Sequence, residues 1–266
     1  MKKFAVLLML LVSTTCWGQE WAEQRLGSSP RHSEWVNIKN GDRTVKAFVA
    51  YPERSDKAPV VLVIHEIFGL TDWARLLTDE LAEAGYIAVA PDLLSGSAPD
   101  GGGTASLGGN DAARNAIAKL DPEQITGDLT AALDYATQLP ASNGKVSVAG
   151  FCWGGTQSFR FATNSDAIEQ AFVFYGTAPT DRAELERISA PVYGFYAEND
   201  ARVNATLENT EKQMAQVGKT FRPVIYSGGG HGFMRAGDMP DASPGNKSAM
   251  FQAWKRWLIL LESLNG

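Results

Sequence analysis

Two hydrophobic periods alternate along this chain. Pro59 to His65 is a continuous apolar run with β-branched residues, the pattern of a strand buried on both faces. Tyr86–Ala90, Lys145–Ala149, Ala171–Phe174, Pro191–Tyr196 and Phe221–Tyr226 read as further strands. Trp35–Ile38 and Val45–Tyr51 flank Asn40-Gly41, a hairpin signal. The stretches between the later strands carry helical spacing. Asp72–Ala84 repeats Leu76, Leu77, Leu81 and Ala84, with Asp72 as a cap and Gly85 as a stop. Pro122–Leu139 presents Ile125, Leu129, Leu133 and Tyr135. Gly155–Thr163 and Thr206–Val217 follow, and Lys247–Leu264 closes the chain with Met250, Trp254, Trp257, Leu258 and Leu261 on one side. Strands alternating with helices predict an α/β fold, with a mostly parallel central sheet covered by helices on both faces. Residues 19–33 read as a loose lead. Residues 95–110, rich in Gly, Ser and Ala, read as a long mobile loop, either an inert linker or a lid beside a pocket.

The first residues follow a different logic. Lys2 and Lys3 precede an apolar run, Phe4–Val12, too short to span a bilayer, and small and polar residues follow to Gly18. This is the pattern of a secretory signal peptide over residues 1–18, leaving residues 19–266 as a single domain in the periplasm or medium. An uncleaved anchor helix is one competing reading. Lipid attachment after cleavage before Cys16 is another, but Ser13 stands where such signals carry an aliphatic residue. Cleavage after Gly18 removes two lysines and no carboxylate, moving the formal charge from −6 to −8. An acidic chain without a Lys/Arg run argues against nucleic acid as a partner. Cleavage also removes Cys16, leaving Cys152 as the single thiol, which is then either buried or used.

The surroundings of Cys152 favour use. Gly150-Phe151-Cys152-Trp153-Gly154-Gly155 follows the strand KVSVA and precedes a helical stretch. A nucleophile on a sharp strand-to-helix turn needs small residues two before and two after it, and both are Gly here. This is the G-x-S-x-G elbow of α/β-hydrolases with Cys in place of Ser, and the sulfur sits at the positive end of a helix dipole. A thiol attacking a carbonyl needs a base. Of three histidines, His231 lies in the loop Gly228–Phe233 after the last strand, His32 in the N-terminal lead, and His65 at the end of a buried strand, where a structural role fits better. The base needs an orienting carboxylate. Asp200 and Glu198 both stand at the end of PVYGFYAEND. Asp200 is preferred because Ala201-Arg202-Val203 ends the strand and lets a turn aim its side chain inward.

These segments together resemble the dienelactone hydrolase family. The resemblance extends to His65-Glu66-Ile67-Phe68-Gly69-Leu70, Pro91-Asp92-Leu93, Gly127-Asp128-Leu129 and Phe174-Tyr175-Gly176, and spans roughly residues 45–260. It implies Cys152 as nucleophile, Asp200 as orienting acid and His231 as base. It further implies Glu66 as a carboxylate that holds the resting thiol, and the N–H groups of Ile67 and Trp153 as an oxyanion hole. Tyr175 and Arg235 match substrate-site positions, so a modest preference for acidic esters is expected of Arg235. One feature departs from the family. The stretch after Pro91-Asp92-Leu93 is Leu94-Ser95-Gly96-Ser97, with no Arg before Arg114 where dienelactone-cleaving members carry one.

The expected activity is hydrolysis of small-molecule esters or lactones through a thioester, with no metal or organic cofactor implied. Two other classes compete. A non-catalytic binding protein on the same fold is opposed by the complete Cys152, Asp200 and His231 set. A thiol redox sensor is opposed by the absence of a resolving cysteine from the mature chain.

Overall fold

A computed structural model describes residues 19–265. The signal peptide expected over residues 1–18 lies outside the described residues. Eight strands form one sheet: β1 (Ser33–Asn40), β2 (Arg43–Ala50), β3 (Ala58–Ile64), β4 (Ile87–Pro91), β5 (Ser142–Phe151), β6 (Gln170–Phe174), β7 (Val192–Asn199) and β8 (Phe221–Gly230). Their spatial order is β1-β2-β4-β3-β5-β6-β7-β8. The first two pairings are antiparallel and all the others parallel. Gly41 turns the β1–β2 hairpin with φ 55°. This is the α/β-hydrolase architecture expected from the alternation of strands and helices.

The central strand shows why the sheet needs helices on both sides. In β3, Val60, Leu62 and Ile64 enter one core cluster, while Val61 and Val63 enter the other. A strand's side chains alternate faces, so an apolar run buries both. Each of these side chains is fully buried and contributes about 1.5–3 kcal/mol. The helices are α1 (Glu20–Gly27), α2 (Asp72–Glu83), α3 (Asn110–Ile117), α4 (Pro122–Gln138), α5 (Trp153–Ala162), α6 (Arg182–Glu186), α7 (Ala201–Asn204), α8 (Leu207–Gln216), α9 (Phe233–Asp238) and α10 (Pro244–Leu261). Ile125, Leu129 and Leu133 of α4 pack on the first face with Phe159 of α5 and Met214 of α8. Trp73 and Leu77 of α2 pack on the second with Trp257 of α10. Among the described residues, no helix is long and apolar enough to cross a membrane.

Three expectations are corrected. Residues 19–33 are not a loose lead. Glu20–Gly27 is a helix that buries Ala22, and its Arg25 bonds Asp238 at 2.6 Å and pairs with Glu80. Asp72 does not cap α2. Thr71 occupies the cap position, and Asp72 is the first helical residue, paired with Arg75. The Gly-rich stretch is not a free loop, because Thr104 ties it down. Its N–H donates to Asp92 Oδ2 at 2.8 Å and its hydroxyl to Asp92 Oδ1 at 2.7 Å, while the same hydroxyl accepts from the Leu70 N–H at 2.9 Å. A Cβ at Gly69 would stand 2.2 Å from Thr104 Oγ1, so glycine is what lets the two segments touch. Residues 110–117 then form α3, a helix with only Ala113 and Ile117 buried.

Candidate active site

The expected site residues share a topological position. Glu66 follows the C-terminal end of β3, Cys152 that of β5, Tyr175 that of β6, Asp200 that of β7 and His231 that of β8. After β3 the chain places β4 on one side and β5 on the other. In such sheets the crevice beyond the strand ends, beside that reversal, is where ligands bind.

Cys152 holds φ 57° and ψ −115° at the cap of α5, a conformation costly for a residue with a side chain. Its neighbours show what the turn demands. A Cβ on Gly150 would lie 1.9 Å from the Gly154 carbonyl oxygen, and one on Gly154 would lie 2.3 Å from the His65 carbonyl oxygen. Gly155 is equally confined, 2.5 Å from the Phe174 carbonyl oxygen, a requirement beyond the two glycines of the elbow pattern. Phe151 anchors the turn from below, its ring 4.5 Å from that of Phe174 and 5.5 Å from that of Trp73.

His231 Nε2 lies 3.1 Å from Cys152 Sγ, and its Nδ1 lies 2.5 Å from Asp200 Oδ2. Asp200 is buried, and its other oxygen accepts from the Val203 N–H at 3.3 Å, in the turn that the sequence anticipates after it. The hydrogen bond to Cys152 pushes the His231 pKa up to about 9. Burial opposes this shift and the hydrogen bond to Asp200 adds to it. Glu198 does not face the histidine. It is an exposed anchor for the following strand, accepting from the Ser227 hydroxyl at 3.0 Å and the Gly228 N–H at 2.8 Å.

Glu66 is buried, and its oxygens are taken by Arg235 Nε at 2.6 Å and by the Tyr175 hydroxyl, which donates at 3.4 Å. The thiol has His231 as its partner, so the Glu66–thiol contact implied by the family resemblance is not the arrangement seen. Tyr175 has φ 41°, and burial holds its hydroxyl well above the ordinary tyrosine range, so it remains a donor. The Ile67 and Trp153 amides border the site, and neither has an internal acceptor among the described residues. Trp153 opens α5, where the first N–H groups of a helix lack intrahelical partners.

His65 is the residue whose role the sequence left vague. It is fully buried and stacks on Trp153 with ring centroids 5.6 Å apart. Its Nδ1 lies 2.8 Å from the Glu66 carbonyl oxygen, and its Nε2 accepts from the Leu93 N–H at 3.3 Å. Burial keeps its pKa low, so the neutral ring carries its proton on Nδ1 and bridges the Glu66–Ile67 turn to the segment after β4. Among the described residues no group of His, Cys, Asp and Glu is placed to hold a metal ion.

Comparison with known proteins bears on family and fold. The model of the dienelactone hydrolase family matches residues 45–264. A carboxymethylenebutenolidase of Pseudomonas putida and one of Pseudomonas knackmussii are each 32% identical over 213 residues, covering 76% of this chain and 86% of theirs. Among solved structures, a dienelactone hydrolase-like promiscuous phosphotriesterase from metagenomic libraries superposes with a TM-score of 0.72 at 22% identity, covering 89% of this chain and 99% of its own. A dienelactone hydrolase of Anabaena variabilis gives 0.64 at 19% identity, covering 85% and 96%. At those identities the structures speak for the fold alone. The family model and the 32% identical relatives speak for descent, and the chain belongs to the dienelactone hydrolase family of carboxylic ester hydrolases.

Proposed function

We propose that this chain hydrolyses small-molecule esters or lactones by acyl transfer through Cys152. The observation that carries the proposal is the line Cys152 Sγ, His231 Nε2, His231 Nδ1, Asp200 Oδ2, with contacts of 3.1 and 2.5 Å. His231 takes the thiol proton and the sulfur forms a bond to the carbonyl carbon. The carbonyl π pair moves onto oxygen, facing the Ile67 and Trp153 N–H groups, whose free donors suit a developing oxyanion. The pair returns, the bond to the leaving oxygen breaks, and the imidazolium protonates that oxygen. A water molecule, giving its proton to His231, attacks the thioester. The carbon–sulfur bond breaks, and acid and thiol are released. Asp200 holds the imidazole in the required tautomer. Glu66, Tyr175 and Arg235 form the wall beside the sulfur.

The test uses an aryl ester and the full mature chain. Cys152→Ala should lower turnover by at least about a thousandfold, the scale seen when a nucleophile is removed, with an unchanged circular dichroism spectrum. Iodoacetamide should block turnover while modifying Cys152. Turnover that persists in Cys152→Ala rejects the nucleophile. Labelling of Cys152 without any hydrolysis of aryl esters, thioesters or unsaturated lactones favours a binding protein. We further propose that the chain acts outside the cytoplasm, on the evidence of the Lys2–Gly18 sequence pattern.

A further inference from the structure

A groove of about 440 Å³ lies outside the catalytic crevice, between α2, α9 and α10. Trp73 and Leu77 of α2, Met234 of α9, and Trp254 and Leu258 of α10 make its apolar wall. None of the candidate site residues lines it. The direction of α2 sets its place. The helix starts after the β3 end that carries Glu66 and finishes at Glu83, from where the chain enters the start of β4. Because β3 and β4 are parallel, that end of α2 lies at the opposite edge of the sheet. The end of the groove formed by Glu80 and Glu83 is therefore the one away from Cys152.

The charges of the groove do not cancel. Glu80, Glu83 and Asp238 line it, and Arg25 of α1 is the one lining cation among the described residues. Arg25 donates to Asp238 Oδ1 at 2.6 Å and pairs with Glu80. The neighbouring Arg31 is committed to Asp79 at 2.5 Å and stands 3.7 Å from Glu83. Four carboxylates thus share two guanidinium groups. Asp238 Oδ2 is buried with no partner among the described residues. Glu80 registers the imbalance. Burial first, and the Asp238 charge next, push its pKa up to about 7; Arg25 opposes them, while Glu83 and Asp79 add to the rise. α10 lines the groove with Met250, Trp254 and Leu258, which carry no charge. An ammonium group on an apolar body would meet the uncompensated carboxylates and an indole face together. We propose that this groove is a second binding site, which takes an amphipathic monocation such as an alkyl or arylalkyl ammonium. The apolar body lies along Trp73, Leu77 and Leu258, and the ammonium lies at the Glu80 end. The site is independent of the ester-hydrolase reading, and its test needs no turnover.

Calorimetric titration of the mature chain with octylammonium, octanol and octanoate tests this, since the three share a chain and differ in charge. Octylammonium should bind at least about tenfold more tightly than octanol, the scale of one contact to a charged group, and octanoate should bind most weakly. An alkylammonium keeps its charge through neutral pH, so its affinity should rise about threefold or more from about pH 6 to about pH 8, as Glu80 loses its proton. Glu80→Gln should remove that rise and lower octylammonium affinity while leaving octanol binding unchanged. Glu83→Gln, at a side chain that is 66% exposed, should lower octylammonium affinity without touching the Arg25 contacts. Alkylation of Cys152 by iodoacetamide should change none of these values. No binding of octylammonium, equal affinity for octylammonium and octanol, or a preference that survives unchanged in both variants overturns the inference. So does binding that Cys152 alkylation abolishes, because the ligand then sits in the catalytic crevice.

Discussion

The Glu66 carboxylate takes the Nε of Arg235 at 2.6 Å, across 169 residues of sequence, within the wall beside Cys152. That contact changes what Arg235 is expected to do. A cation already paired with a buried carboxylate is a structural brace before it is a reader of substrates. Removing it leaves Glu66 buried without its charge partner.

Arg235→Gln should therefore lower stability by about 2 kcal/mol, less than a fully buried pair because Arg235 keeps partial exposure. Urea denaturation measures this. The double variant Glu66→Gln, Arg235→Gln should recover part of the loss. Turnover of acidic and neutral esters should fall together in Arg235→Gln. A loss confined to acidic esters would restore Arg235 as the group that reads substrate charge.

The raised pKa of His231 sets a pH window. Its folded pKa of about 9 exceeds the ordinary 6.5, so the folded state holds a proton that the unfolded state releases between those values. The stabilising contribution is fully present below 6.5 and is lost as pH rises through about 9. Thermal melts of the wild type should decline across that window, and His231→Gln should flatten the decline. In kinetics, kcat/KM for alkyl esters should drop above about 9, because the imidazolium that protonates the leaving oxygen is gone. A flat alkaline profile with poor leaving groups would count against His231 as the acid.

Thr104 joins the Gly-rich segment to the turn that carries Ile67. Thr104→Val keeps the shape but removes one donor from buried Asp92 and the acceptor of the Leu70 N–H. A stability loss of about 1–3 kcal/mol should follow, the cost of leaving such groups unpaired. Proteolysis at residues 95–110 should quicken in parallel. Unchanged stability and protease resistance would return this stretch to the status of a linker.

Export is tested by the mass of the N-terminus. Protein recovered from the periplasm or medium should begin near Gln19, whose side-chain oxygen accepts from the Trp73 N–H at 2.8 Å at the start of α2. Retention of Met1 or a lipid on Cys16 would replace a soluble exported protein with an anchored one.

The sharp turn at Cys152 was legible in the sequence because its requirements are local. A residue at φ 57° between a strand and a helix needs glycine where the chain doubles back on itself, and Gly150 and Gly154 declare this within five residues. Asp200 was separable from Glu198 for the same reason, since the turn after it is written in the next three residues. The sheet was legible because a fully apolar run such as Pro59–Ile64 has no other stable place than between two layers. α1 was not legible, because it buries only Ala22, too few residues to imprint a helical period, and α3 was passed over because its eight residues, with Ala113 and Ile117 buried, directly follow the Gly-rich segment. Nor could spacing show that Arg235 meets Glu66. Those partners lie at or near the ends of different elements, and only the order of strands in the sheet brings them together. Backbone demands are written in neighbouring residues, whereas the partner of a charged side chain depends on which strand ends converge.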